Sequence, residues 1–386
     1  MLTRTGLERL MVRGNAALAK ARIGLVSQSA ATLPDFTHGL EALLGAGYQI
    51  SALFGPEHGF RGAGADGAAI GNAVDPRTGL PVFSLYGQTQ EPTAEMLAQV
   101  DALVFDLQDV GVRFYTYLST LHYVLKSAGT HGKPVWVLDR PNPLGGLTVS
   151  GPVVQPGYTS FVGILPLPVQ YGLTPAELAG WMNARLEKPA ELHVVLMDGW
   201  QRGLTFDRTG LPWVPTSPAM PHFSTVRVYP GTCLVEGTNL SEGRGTALPF
   251  EVVGAPWLDG AALAECLNAK KLPGCRFRAV HFTPTASKHA GQLCAGVQIH
   301  LVKPDEYQPI ETALHLLAAC RQQDPEQFQF LPTSWEGHPP HFDLLTGSAE
   351  LREQIETGRD IEQILPQWLT PPLDFLASRK PHLLYA

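Results

Sequence analysis

Residues 101–139 read DALVFDLQDVGVRFYTYLSTLHYVLKSAGTHGKPVWVLD, and this stretch decides the fold class. Two short apolar runs, Asp101–Asp106 and Pro134–Asp139, lie on either side of a helical pattern at Thr116–Ala128. Both runs are continuously apolar, which is typical of strands buried on both faces of a parallel sheet. The stretch therefore predicts a strand, a crossover helix and a second parallel strand.

The same alternation extends along the first half of the chain. Apolar runs predict further strands at Arg22–Ser27, Tyr48–Phe54, Pro81–Leu85 and His193–Asp198. Helical patterns between the strands predict helices at Thr37–Ala46, Thr93–Val100 and Pro175–Leu186. Strand–helix alternation of this kind predicts a doubly wound α/β domain with a mostly parallel sheet.

The pattern changes between Gly203 and Gly231, where prolines recur and no periodicity persists. We place a domain boundary here, with an N-terminal domain at 1–224 and a smaller α+β domain at 225–386. In the second domain, the patterns predict strands at Arg276–Phe282 and Gly296–Val302, and helices at Gly260–Lys270, Pro309–Arg321 and Ala349–Thr357.

Composition excludes several classes of protein. Hydrophobic residues make up 44% of the 386 residues and charged residues 16%, as in a globular protein. The net charge of −7 includes no Lys/Arg run, which argues against nucleic acid or an anionic membrane as partner. No apolar stretch is long enough to insert into a membrane, and no secretory signal is visible. We expect a cytoplasmic protein, or a periplasmic or secreted one if a leader has been removed; the oligomeric state is not indicated.

Polar side chains concentrate just after the predicted strands. Ligands bind beyond the carboxyl ends of the strands in open parallel sheets, so these positions are candidates for a site. They are Glu57, His58 and Arg61 in GPEHGFRG; Asp106, Gln108, Asp109, Arg113, Tyr115 and Tyr117 in DLQDVGVRFYTY; and Asp139, Arg140 and Asn142 in DRPNPLGG.

Glu57 is the first candidate for catalysis. It lies between Pro56 and Gly59, in a rigid turn that can hold a carboxyl group at the sheet edge. Cleavage of a glycosidic bond needs an acid that protonates the leaving oxygen, and a Glu suits this role. The alternative is a helix-capping or salt-bridged Glu57. His58 either orients a partner or is satisfied within the turn.

Asp106, Gln108 and Asp109 form a second polar cluster, with Arg113 as a plausible counter-ion. One Asp polarises water or stabilises an oxocarbenium-like transition state, or else the cluster is a structural Asp–Arg lock. The pair Asp139–Arg140 is either a salt bridge in the wall or a clamp for a substrate carboxylate.

Tyr115 and Tyr117 alternate along the chain. They face opposite sides if the segment is extended, so that one contributes a hydroxyl to the site and the other packs in the core.

The second domain opens with two glycine-rich turns, YPGTCLVEGTN and LSEGRGTALPFE. Their glycines allow the backbone to approach a ligand closely. Their polar residues are Glu236, Asn239, Glu242 and Arg244. We interpret these turns as the facing wall of an interdomain cleft; the alternative is ordinary turn chemistry.

No cofactor motif is convincing. Residues 62–67 (GAGADG) match G-x-G-x-x-G, but they follow a polar loop instead of a strand, and no helical pattern follows them. Walker, G-x-S-x-G and H-E-x-x-H motifs are missing. We therefore expect no cofactor and no metal, while a metal-dependent hydrolase stays an alternative.

Six stretches carry a resemblance to a known family. They are FGPEHGFRG, VFDLQDVGVRFYTYLST, VLDRPNPLGG, SFVGILPLPVQYGLTPAELAGWMN, YPGTCLVEGTNLSEGRGT and PFEVVGAPW. In this order they resemble the NamZ-like exo-β-N-acetylmuramidase family. The resemblance implies a Rossmann-like N-terminal domain, a C-terminal domain and an active cleft between them. It also implies that Glu57 is the catalytic carboxylate. The chain departs from the family pattern at Ser27–Ala30 and at Ala219.

The resemblance implies removal of β-1,4-linked N-acetylmuramic acid (MurNAc) from the non-reducing ends of peptidoglycan fragments, as in cell-wall recycling. On this hypothesis Glu57 is the general acid/base, and Asp106 or Asp109 assists as charge develops. Arg61, Arg113 or Arg140 then binds the lactyl carboxylate of MurNAc saccharides or muropeptides. Water and the 2-acetamido group of the sugar both remain candidates for the nucleophile. The alternatives are an exo-N-acetylglucosaminidase and a non-catalytic muropeptide-binding protein.

Overall fold

A computed structural model of the protein describes residues 2–65, 67–68, 71–333 and 336–386. The elements of the first half are α1 (Gly6–Arg13), β1 (Ile23–Ser27), α2 (Gly39–Gly45), β2 (Ile50–Gly55), β3 (Ala73–Val74), β4 (Pro81–Ser84), α3 (Ala94–Leu97), β5 (Ala102–Asp106), α4 (Tyr117–His131), β6 (Val135–Leu138), α5 (Pro175–Asn183) and β7 (Leu192–Val195). Those of the second half are α6 (Phe223–Thr232), β8 (Val252–Ala255), α7 (Gly260–Ala269), β9 (Cys275–Phe282), β10 (Cys294–Leu301), α8 (Pro309–Gln323), α9 (His341–Thr346), α10 (Glu350–Glu356), α11 (Ile361–Leu369) and α12 (Leu373–Arg379).

The first half contains a seven-stranded sheet in the order β3-β4-β2-β1-β5-β6-β7. All neighbouring strands are parallel except the short edge strand β3, which pairs antiparallel with β4. The strand order reverses between β1 and β5, where Ser27 pairs with Asp106. The predicted doubly wound α/β fold is confirmed, and β1/β5 is its topological switch point.

Local signals explain where the helices begin. Thr174 forms a capping box with Glu177 and Pro175 follows it, so α5 begins at the predicted position. Thr5 and Glu8 form the same capping box at α1. That helix was not predicted, although the capping signal is present in the sequence; it packs against β6 and β7.

The second half is built on a three-stranded antiparallel sheet in the order β8-β10-β9, packed against α7 and connected to α8. The smaller α+β region is therefore also confirmed. The sequence patterns missed β8, which has only four residues, and the helices α6, α9, α11 and α12. Two of these, α6 and α11, contain an internal proline, which obscures a helical pattern.

One hydrophobic core continues through both halves. Phe114 meets Tyr229 edge to face at 5.4 Å between ring centroids, and Tyr229 meets Phe250 at 4.7 Å. This aromatic contact joins the loop before α4 to the second half and forms part of the base of a cleft between them. In the described ranges, no helix is long and apolar enough to cross a membrane.

Candidate active site

A cleft with a volume of about 480 Å³ opens between the two halves. The residues predicted from the sequence that line it are Glu57, His58, Tyr115, Glu236, Glu242 and Arg244. It is also lined by Thr116, Lys288 and His341, which were not predicted as site residues. The cleft therefore brings carboxylates from both halves of the chain to one hollow.

Glu57 lies in the turn that directly follows β2. The turn is tight: His58 and Gly59 adopt positive φ angles of 70° and 77°, and the Gly59 amide donates to the Pro56 carbonyl at 2.9 Å. Two donors fix the carboxylate. The Gly67 amide donates to Oε1 at 3.0 Å, and the Thr116 hydroxyl donates to Oε2 at 2.7 Å. Glu57 is thus held at the cleft by hydrogen bonds from two segments.

His58 is buried, and its Nδ1 lies 3.0 Å from the Gly64 carbonyl oxygen. This contact closes the loop that carries the Gly67 amide toward Glu57. The glycine pattern at 62–67 therefore belongs to a loop beside the cleft and does not join a strand to a helix. Asp66, within that pattern, lies outside the described residues.

Glu236 and Arg244 form an ion pair on the opposite wall. Arg244 donates to Glu236 Oε1 from Nη2 at 2.6 Å and from Nε at 3.1 Å. Burial alone would raise the pKa of Glu236, but the charge of Arg244, with His341 and Lys288, holds that pKa below its ordinary value. Glu236 is therefore an ionised carboxylate.

Lys288 connects the second carboxylate of this wall to the backbone. Its Nζ lies 2.9 Å from Oε2 of Glu242, which is buried, and donates to the carbonyls of Val235 at 2.8 Å and Thr238 at 2.7 Å. Ser287 also donates to Glu242, at 3.3 Å. The ammonium is thus held by backbone carbonyls, and its charge lies beside Glu242.

Tyr115 and Tyr117 do not face opposite sides. Their rings are in edge-to-face contact at 4.8 Å, and both hydroxyls donate to Thr216: Tyr115 to the side chain at 2.7 Å and Tyr117 to the carbonyl at 2.6 Å. The expectation of alternation is wrong because the segment turns into α4 instead of extending. The two tyrosines hold the segment that carries Ala219, which lines the cleft.

Asp106 and Arg140 form a buried ion pair away from the cleft. Arg140 donates to Asp106 Oδ1 from Nε at 2.5 Å and to Oδ2 from Nη2 at 3.1 Å, and both side chains are at most 4% exposed. The pair occupies the β1/β5 switch point, beside buried Ser27 and Gln28. The structure therefore places Asp106 outside the cleft, and Arg140 forms its salt bridge with Asp106 instead of with the expected partner Asp139.

Asp109 and Arg113 are also removed from the cleft, and they do not pair. Arg113 is fully buried and donates to the carbonyls of Pro152, Leu167 and Leu345, so it locks backbone segments together. Asp109 accepts hydrogen bonds from the Tyr171 hydroxyl and the Gly111 amide. Burial raises the pKa of Asp109 to about 6. The expected Asp–Arg lock is replaced by two separate buried contacts.

The remaining candidates stabilise loops and helix ends and do not line the cleft. Arg61 pairs with Asp75 at 2.9 Å, and Asp139 accepts from the Thr174 hydroxyl and the Ala176 amide, at 2.9 Å each, at the start of α5. The others bond to backbone carbonyls: Gln108 to Asp109 and Pro141, Asn142 to Leu173, and Asn239 to Gln327. Many polar residues follow the strands, but most of them stabilise the loops and helix ends at the sheet edge.

Metal binding finds no support in the described part of the chain. Its His, Cys, Asp and Glu side chains form no group of three that could hold an ion. His341, which lies beside Glu236 and the cations of the wall, has its pKa lowered chiefly by burial.

The comparisons with known proteins agree along the whole chain. Residues 23–224 match the model described as "Exo-beta-N-acetylmuramidase NamZ, N-terminal", and residues 227–385 match its C-terminal counterpart. The chain is 44% identical to "Peptidoglycan beta-N-acetylmuramidase NamZ" of Bacillus subtilis (strain 168), over 99% of this chain and 91% of the relative.

Two solved structures from Bacteroides fragilis have the same fold, and both are described as DUF1343 family proteins. One is 36% identical with a TM-score of 0.90, covering 100% of this chain and 99% of its own. The other is 29% identical with a TM-score of 0.79, covering 99% of each chain. On these matches and on the architecture around the cleft, the chain belongs to the NamZ family of exo-β-N-acetylmuramidases.

Proposed function

We propose that this protein removes β-linked MurNAc from the non-reducing ends of peptidoglycan fragments, with Glu57 as the general acid/base. The observation that carries the proposal is the Glu57 carboxylate, held by Thr116 and Gly67 at a cleft whose opposite wall is charged. The similarity to the Bacillus subtilis muramidase supports a peptidoglycan-derived substrate.

The surroundings of the three cleft carboxylates give them different roles. Glu236 is paired with Arg244, whose charge lowers its pKa, so it has no proton to donate, and Glu242 is paired with Lys288. Within the described residues, Glu57 has hydrogen-bond donors but no paired cation. Glu57 lines the cleft and is held by neutral donors, so we assign it the role of protonating the leaving oxygen. Glu236 and Glu242 then stabilise positive charge that develops on the sugar ring.

Arg244 is our candidate for binding the lactyl carboxylate of MurNAc. In the described part of the chain, the Arg and Lys side chains that line the cleft are Arg244 and Lys288. The Lys288 ammonium donates to the carbonyls of Val235 and Thr238 and is ion-paired with Glu242. Arg244 therefore replaces Arg61, Arg113 and Arg140 in this role, because those three lie outside the cleft.

The test is product analysis with the purified protein. Incubation with MurNAc-β-1,4-GlcNAc should release both sugars, detected by mass spectrometry. Replacement Glu57→Gln should lower turnover of a chromogenic MurNAc glycoside by roughly 10²- to 10⁴-fold, the range typical of a lost general acid. Thermal unfolding of the variant should match that of the parent protein, because the amide keeps the shape of the side chain.

The same assay separates the alternatives. Binding of the disaccharide without release of sugar would indicate a muropeptide-binding protein and would refute the proposal. Faster cleavage of a GlcNAc glycoside than of a MurNAc glycoside would indicate a glucosaminidase. Loss of turnover in a chelator would indicate a metal-dependent hydrolase; we expect turnover to be unchanged. Near-normal turnover by Glu57→Gln would remove Glu57 from the chemistry.

A further inference from the structure

Helix α4 begins differently from the other α-helices in the described residues that follow a threonine. Threonines precede α1, α3 and α5, and the hydroxyls of Thr5, Thr93 and Thr174 each accept a hydrogen bond from a first-turn amide. This is the usual role of an N-cap threonine. Thr116 precedes α4 and makes no such bond; its hydroxyl donates to Glu57 Oε2 at 2.7 Å. The capping group of α4 is thus directed at the catalytic candidate.

The position of Thr116 is fixed by the helix that follows it. Its carbonyl accepts the Thr120 amide at 3.0 Å, and α4 runs for 15 residues with Leu118, Leu121 and Val124 in the core. The other donor to Glu57, the Gly67 amide, belongs to the same loop as Glu57 itself. Thr116 is therefore the contact that joins the Glu57 carboxyl group to a regular element.

The two donors differ in what they can do when Glu57 takes up a proton. The Gly67 amide can only donate, so it favours Oε1 as an acceptor without a proton. A hydroxyl can donate or accept, so Thr116 can turn its hydrogen away and accept from a protonated Oε2. Of the two oxygens, Oε2 is therefore the one that keeps its partner in both protonation states.

On the basis of the proposed function, we infer that Thr116 is a positioning residue that makes Oε2 the oxygen through which Glu57 transfers its proton. The protonated Oε2 donates to the Thr116 oxygen. When the O–H bond of Glu57 breaks and the proton forms a bond to the glycosidic oxygen, the Thr116 hydroxyl rotates and donates to the new carboxylate. The glycosidic C–O bond breaks in the same step, and its electron pair remains on the departing sugar oxygen. The anomeric carbon becomes oxocarbenium-like and forms its new bond to the nucleophile, water or the 2-acetamido oxygen. Thr116 thus stabilises the anion that the transfer creates.

Replacement Thr116→Val tests this inference because it keeps the shape and removes the hydroxyl. The carboxylate loses a donor worth about 1 kcal/mol, so the basic limb of the pH–rate profile should move up by about 0.5–1 pH unit. We expect kcat to fall roughly 10-fold with KM little changed, because the lost bond is strongest after proton transfer. Thr116→Ser should restore both the limb and kcat.

Thr120→Val is the matched control. Thr120 lies one turn further along α4, and its hydroxyl contacts the Thr116 carbonyl at 3.4 Å without reaching Glu57. Its pH–rate profile should match that of the parent protein. Thermal unfolding of all three variants separates a loss of folded protein from a loss of proton transfer.

A second measurement does not depend on turnover. The ¹³C resonance of the Glu57 carboxyl carbon, assigned by its disappearance in Glu57→Gln, should titrate at higher pH in Thr116→Val than in the parent protein. An inactive parent protein would refute the proposed function, while the titration would still decide the role of Thr116. The inference is overturned if Thr116→Val, folded as the parent, leaves this titration unchanged, or leaves the pH–rate profile of an active parent unchanged.

Discussion

Two carboxylates at the same edge of the sheet have opposite surroundings. Glu57 follows β2, is half-buried, lines the cleft and is held by an amide and a hydroxyl. Asp106 ends β5, is fully buried and is paired with Arg140 at 2.5 Å. Both positions satisfy the rule that ligands bind beyond strand ends, yet only Glu57 faces a cavity. What separates them is the partner: neutral donors hold Glu57 at the cavity, whereas a buried guanidinium holds Asp106 in an ion pair.

The topological switch point of the sheet is not where the cleft lies. In open α/β sheets the crevice at the strand-order reversal is the usual ligand site. Here that point, between β1 and β5, is closed by the Asp106–Arg140 pair. The cleft lies beside it instead, where the turn after β2 and the start of α4 meet the second half of the chain. The second half therefore creates the site that the sheet alone does not provide.

The largest effect should come from breaking the buried pair. Replacement Asp106→Asn leaves Arg140 charged in a buried place, and we expect the free energy of unfolding to fall by about 3–5 kcal/mol. Turnover per folded molecule should stay within a few-fold of the parent protein. Urea unfolding and active-site-normalised kinetics measure the two quantities.

The exposed pair Arg22–Asp101 is the control for this prediction. Its atoms are nearly as close, at 2.7 Å, but both side chains are nearly half exposed. Asp101→Asn should therefore destabilise the protein far less than Asp106→Asn. If Asp106→Asn lost most of its turnover while its stability stayed normal, Asp106 would again be a candidate for catalysis.

The strands and the Glu57 turn could be predicted because their signals are local. Continuous apolar runs and the GPEHG turn each lie within a few residues, so burial and backbone geometry can be read from them. Lys288 and His341 could not be predicted, since no motif surrounds them and only tertiary contacts bring them to Glu242 and Glu236. The two glycine-rich turns that open the second domain could be predicted to line the cleft, because glycines next to acidic residues allow the backbone to approach a ligand closely.

Arg113 shows why the remaining site residues were misplaced. Its neighbours in sequence include Asp109, which made an ion pair the natural expectation. Its actual partners are carbonyls 39, 54 and 232 residues away along the chain. Backbone carbonyl acceptors produce no sequence pattern. A buried arginine of this kind therefore cannot be distinguished by sequence from one that binds a ligand.

Two arginines, Arg244 and Arg61, differ in the same way as the two carboxylates. Arg244 lines the cleft, whereas Arg61 pairs with Asp75 and Glu41 outside it. Replacement Arg244→Met should lower kcat/KM for a MurNAc glycoside by roughly 10- to 100-fold, because charge-assisted hydrogen bonds to the lactyl carboxylate are lost. A GlcNAc glycoside lacks that carboxylate, so its slower cleavage should change much less.

Arg61→Met is the matched control for Arg244→Met and should leave the ratio of the two kcat/KM values unchanged. The ratio matters more than either value alone, because Arg244 also pairs with Glu236 and its loss can disturb the wall. An equal loss of kcat/KM on both glycosides would show that Arg244 stabilises Glu236 and does not bind the lactyl carboxylate.

The smallest effect on turnover concerns Asp109, a buried carboxyl whose donors are a hydroxyl and an amide. Its pKa is raised to about 6 by burial, above the unfolded value of about 3.9, so the folded protein binds the extra proton between these values. Stability from this group is therefore complete below about pH 4 and is lost as pH rises through about 6, by about 3 kcal/mol at most. Asp109→Asn should flatten this part of the stability–pH curve measured by urea unfolding and leave kcat unchanged. If Asp109→Asn flattens the stability–pH curve but also lowers kcat, Asp109 acts on the substrate from behind the cleft wall. Burial alone would then no longer separate the structural carboxylates from Glu57.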